Sequence, residues 1–172
     1  MWVGVMSEPI ESDPCEQSAW EQCERATVGA LLLGGVAVQT DITAVVERSD
    51  FACPRCGWVV SVVRRMLEDR LPVDMVSFAA HVESKGLLND GQRMLRLRSW
   101  LYDVTRDVPA AVHGPWYAGQ VVESAARRRV AAAGRRLVEC GVGELDEMRL
   151  VVELEAKEAI AAIDRALLRE SV

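Results

Sequence analysis

Cys53 and Cys56 stand in a C-x-x-C pair, Cys-Pro-Arg-Cys, just before a valine-rich run. Thiols at that spacing support three chemistries. At a helix N-terminus, the electropositive peptide groups favour thiolate and a dithiol redox centre. Such centres usually follow a strand in a βαβ unit, and no strand pattern precedes this pair. Zinc needs about four N or S ligands. The remaining ligand types, Cys15, Cys23, His81, His113 and Cys140, form no second tight pair. The third reading is two small residues at a helix entrance, with Pro54 in the first turn. That reading is the one adopted, so neither a metal nor another cofactor is expected.

The other reactive types are sparse. His81 falls mid-helix and His113 in a loop, with no nucleophile spaced to either, so both read as partly exposed structural residues. Glu153 and Glu155 are two apart and do not face each other on a helix. Arg127, Arg128, Arg129, Arg135 and Arg136 form a basic patch that could meet phosphates or an acidic protein surface. They could equally pair with the acidic stretch Glu144, Asp146, Glu147, Glu153, Glu155 and Glu158. Lys85 and Lys157 are the only lysines, and neither lies in a G-x-x-x-x-G-K-[S/T] phosphate loop. The sequence therefore predicts no enzyme.

The elements that must position these residues read as all-α. Half of the 172 residues are hydrophobic but only 5% are aromatic, so Ala, Val and Leu carry the core. No stretch alternates as strands do. The formal net charge of −6 speaks against a nucleic-acid binder. No apolar run reaches the ~20 residues of a membrane helix. The acidic N-terminus does not resemble a signal peptide, so a cytoplasmic protein with reduced thiols is expected. Residues 1–12 read as a disordered acidic tail, 13–110 as a head of about five short helices, and 111–172 as a helical hairpin.

Within the head, Ser12 to Pro14 suits a helix start, and Gly34 and Gly35 stop the helix carrying Val28, Leu31 and Leu32. Thr40 or Asp41 caps the second helix. Pro54 opens the third, striped by Val59, Val62, Val63, Met66 and Leu67. Asp74 caps the fourth, with Met75, Phe78, Ala79 and Val82 inward and Gly86 ending it. Leu97, Trp100, Leu101 and Val104 line the fifth. In the hairpin, Val122, Ala126, Val130, Ala133, Leu137 and Cys140 stripe the first arm. Leu145, Met148, Val152, Ala159, Ile163 and Ala166 stripe the second, beyond a Gly-Val-Gly-Glu turn.

The order of several motifs resembles the N-terminal domain of DnaB-type replicative helicases. They are Cys-Glu-Arg-Ala-Thr-Val-Gly-Ala-Leu-Leu-Leu from Cys23, Asp50-Phe51, Leu71-Pro-Val-Asp through Leu88, Asp107-Val-Pro-Ala-Ala-Val, and Tyr117-Ala through Val130 with Arg128 and Arg129. The chain departs from the family at Gln120, His113 and the short stretch Gly91 to Met94. The Ala, Val and Arg bias suits an actinobacterial or phage coding sequence. The resemblance implies a non-catalytic head and hairpin that self-associate into a collar and dock primase. With no phosphate loop, the expectation is a stand-alone module that docks primase or a replicative helicase and recruits, loads or competes. The alternatives are a redox or zinc protein built on Cys53 and Cys56, and a DNA-binding adaptor using the hairpin arginines.

An uncovered apolar stripe on each arm predicts a homodimer through the hairpins, extendable to a collar. Its interface residues would be Val122, Ala126, Val130, Leu137, Leu145, Met148, Val152, Ala159 and Ile163. Val151, Leu154, Ile160 and Leu167 lie off the second arm's main seam. Partner docking is assigned to Trp100, Arg128 and Arg129.

Overall fold

The computed structural model describes residues 19–140 and 145–168. The tail 1–12, the helix start at Ser12 to Pro14 and the Gly-Val-Gly-Glu turn lie outside the described residues. The helices are α1 (Ala19–Leu33), α2 (Val36–Val45), α3 (Pro54–Glu68), α4 (Met75–Ser84), α5 (Gly91–Arg106), α6 (Gly114–Cys140) and α7 (Leu145–Leu167). Single 3-10 turns at Arg48–Asp50 and Ala111–His113 precede α3 and α6. There is no strand among the described residues. The chain divides into two compact units, one up to Val121 and one from Val122.

In the first unit, α1, α3, α4 and α5 bury the stripes that the sequence marks. Val28, Leu31, Val59, Val62, Val63, Met66, Phe78, Val82, Leu97, Leu101 and Val104 are buried, whereas Met75 is only half-covered. Two glycines set how closely elements approach. A Cβ on Gly29 would lie 2.4 Å from the Val104 carbonyl oxygen, so only glycine lets α1 cross α5 there. A Cβ on Gly57 would lie 2.6 Å from the Arg48 carbonyl oxygen, which brings α3 onto the turn before it.

Helix ends follow local chemistry. Asp74 accepts the Val76 and Ser77 N–H groups at 2.8 and 2.9 Å, and the Ser77 hydroxyl donates to its other oxygen at 2.6 Å. Those bonds hold the Asp74 carboxyl below its usual range, the Ser77 hydroxyl contributing most. Gly86, at φ +60°, ends α4 with the two crossed bonds of a Schellman motif, Leu87 N–H to Val82 and Gly86 N–H to Glu83. The same motif ends α3 with Arg70 in the left-handed position, at φ +56°. A side chain there costs about 1–2 kcal/mol.

The expected start of α2 is corrected. The helix begins at Val36 after Gly35, which offers no side-chain cap, and Thr40 and Asp41 lie inside it, with the Thr40 hydroxyl donating to the Val36 carbonyl at 2.8 Å. The reason lies in Gln39. Its buried amide reaches the carbonyls of Leu31, Gly34 and Val73 at 3.0, 2.8 and 2.8 Å, which fixes this stretch as helix one turn early.

Candidate interaction surface of the helical hairpin

The cysteine pair sits where a helix entrance would place it. Cys53 is the N-cap of α3, Pro54 occupies the first turn, and both thiols are buried. The cap is supplied from elsewhere. Glu24 on α1, 2% exposed, accepts the N–H of Ala52 at 2.7 Å and of Cys53 at 2.8 Å through its two oxygens. A carboxylate thus occupies the electropositive helix end that would otherwise favour a thiolate. Burial, and then the negative charge of Glu24, push the Cys23 thiol up. Among the described residues no group of three or more His, Cys, Asp or Glu could hold a metal ion.

His81, expected to be partly exposed, is instead buried on α4, where desolvation and then Lys85 lower its pKa. His113 is exposed in the turn before α6, so the two do not face one solvent-accessible site. Trp100 is a core residue, 5% exposed, with the Arg55 guanidinium 5.3 Å from its ring centroid. Its aromatic face is therefore already covered, which corrects its assignment to partner docking.

The second unit contains most of α6 and all of α7. The basic patch of α6 meets acids and a hydroxyl. Arg136 forms a two-pronged pair with Glu155 on α7, its Nη2 donating at 2.6 Å. Arg127 pairs with Glu123, and Arg128 Nη1 donates to the Ser124 hydroxyl at 2.7 Å. Arg128 and Arg129 are half-buried. Glu155, which interrupts the apolar spacing of α7, is the inward group that receives Arg136.

The residues marked as a dimer seam separate by burial. Val122 and Ala126 are buried, and Leu137, Met148 and Ala159 are half-buried. Val130, Leu145, Val152 and Ile163 are exposed, Leu145 by 81%. Within α7 only Ala162 is buried. Leu150 and Leu168, which the sequence reading passed over, are also exposed, on one face with Leu154. Their spacing of four and fourteen residues falls close to whole helical turns, a signal available from the sequence. The arrangement leaves a series of apolar side chains exposed along α7.

The DnaB-like helicase N-terminal domain family matches residues 16–123. The replicative DNA helicase DnaB of Mycobacterium leprae is 30% identical over 135 residues, covering 78% of this chain and 21% of that protein. The replicative DNA helicase DnaB of Leifsonia xyli is 28% identical over 118 residues, covering 69% and 25%. The chain thus spans about a fifth to a quarter of the length of these curated relatives. The crystal structure of the N-terminal domain of DnaB helicase from Mycobacterium tuberculosis superposes with a TM-score of 0.69 at 27% identity, covering 80% of this chain and 95% of that one.

Proposed function

Since this chain belongs to the DnaB-like helicase N-terminal domain family, a non-catalytic replication-associated module, we propose that it works by association. Copies pair through their hairpins, extend to a collar, and dock primase or a replicative helicase. The observation that carries this reading is the row of exposed Leu145, Val152 and Ile163 on α7. Burying apolar surface is worth ~25 cal/mol per Å², and an isologous pair covers one such row with its own copy. Arg128 and Arg129 on α6 serve an acidic partner surface in the same reading.

Light scattering at tens of micromolar tests the pairing. A dimer or larger assembly that Val152→Glu with Ile163→Glu reduces to a monomer supports it; a monomeric wild-type chain refutes it. Pull-down from a host extract tests the partner, and recovery of neither primase nor helicase removes the docking half.

A further inference from the structure

The exposed apolar residues of α7 form two rows, not one. At ~100° per residue, positions two or five apart point roughly 140–200° away from each other. Val152 and Ile163 therefore face one side and Leu154 the other, where Leu168 follows the helix end with its N–H on the Asp164 carbonyl. Leu150 and Leu154 share this second side, one turn apart, and Leu150, Leu154 and Leu168 are all more than half exposed. One pairing of hairpins covers a single side of α7.

The rims of the two rows differ in charge. The row of Leu145, Val152 and Ile163 is bordered mainly by Ala156, Ala159 and Ile160, and Arg149 beside it is held by Glu153 at 2.9 Å. The second row is bordered by exposed Asp146, Glu147, Glu158 and Asp164, against Lys157 and Arg165. The first rim suits a second copy. On the second, two copies would bring like charges together, which disfavours self-pairing.

We infer that the Leu150–Leu154 face of α7, continued by Leu168 just past the helix end, is a second docking surface, and that its occupant is a basic amphipathic helix of a partner protein. Leu at three- and four-residue steps on that helix fills the row, and Lys or Arg beside them meets the acidic rim. This rests on the reading of the hairpin as an association element, but uses the side that self-pairing leaves open.

The probe is a labelled synthetic helix of about four turns, with Leu at alternating three- and four-residue steps and Lys elsewhere. Fluorescence anisotropy reads its binding to the full chain. Leu150→Ser with Leu154→Ser should weaken binding about tenfold or more, as loss of central contacts does, while light scattering shows the assembly unchanged. Val152→Ser with Ile163→Ser should lower the assembly state and leave peptide affinity per protomer unaltered. The inference is overturned if the Leu150/Leu154 variant binds as well as wild type. It is also overturned if a peptide with Glu in place of Lys binds equally, or if that variant falls to a monomer, which would make the face a copy interface. A monomeric wild-type chain that still binds the peptide through Leu154 would refute the pairing and leave this surface standing.

Discussion

Replacing Glu24 with Gln keeps the side chain's length but turns one of its two acceptor oxygens into a donor. In the native head these oxygens take the N–H groups of Ala52 and Cys53 at 2.7 and 2.8 Å. A hydrogen bond to a charged group contributes about 1.5–3 kcal/mol and a neutral one about 0.5–1.5 kcal/mol. The substitution removes one charged bond, reduces the other to a neutral one, and turns an NH₂ toward a backbone N–H. Relief of carboxylate desolvation offsets part of this. The expected net loss is about 2–4 kcal/mol, a large share of the ~5–15 kcal/mol of a typical domain. Urea unfolding followed by circular dichroism reads it: with a slope of ~1–3 kcal/mol per M, the midpoint should fall by about 1–2 M. Glu68→Gln, whose exposed carboxylate pairs with the exposed Arg65, serves as the control and should stay within about 0.5 kcal/mol. A loss below ~0.5 kcal/mol for Glu24→Gln would mean that desolvating the carboxylate cancels both bonds, and the argument for Glu24 as the organiser of the α3 entrance would fail.

Acid should weaken the head through two groups of like sign. Asp74 has a lowered folded pKa, so its contribution is present above the ordinary carboxylate range and lost as pH falls through the folded value; Asp74→Asn should flatten that limb in urea titrations. His81 is also lowered, so its neutral form belongs to the fold, and stability falls as pH drops below the ordinary histidine value of ~6.5. Arg70→Gly should raise stability by about 1 kcal/mol by relieving the left-handed backbone, whereas Gly29→Ala should lower it by at least ~1–3 kcal/mol by forcing α1 off α5; thermal melts of the two should move in opposite directions. In the native state a thiol reagent should leave Cys53 and Cys56 unmodified until urea unfolds the head, and rapid labelling at neutral pH would contradict their burial.

What could be read from the sequence was local. Pro54, Asp74 and Gly86 act on their own neighbours, and their helix ends fall where their chemistry puts them. Apolar periodicity located the stripes of α3 and α5, because a core position depends on the face and not on the exact partner. The misses involve distant atoms. Glu24 caps a helix 28 and 29 residues away, so no local pattern could show why a carboxylate is buried there. Gln39 overrode the caps at Thr40 and Asp41 by reaching Val73. Trp100 reads as a docking aromatic until Arg55 is placed over its ring. In α7 the apolar positions and their helical phases were legible, but which of them stay exposed was not, because that depends on the face that carries Glu155 toward Arg136.

Gln39 also has a bearing on how the first unit comes apart. Its single uncharged amide meets carbonyls at the end of α1, in the link to α2 and in the segment entering α4. None of the three segments can swing away without stranding polar atoms that the other two help to satisfy. Fraying, which elsewhere starts one helix at a time, is thereby coupled across the chain from Leu31 to Val73. The backbone amides of that stretch should exchange their hydrogens with solvent in concert, as one cooperative unit, although the helices that carry them are only ten to fifteen residues long.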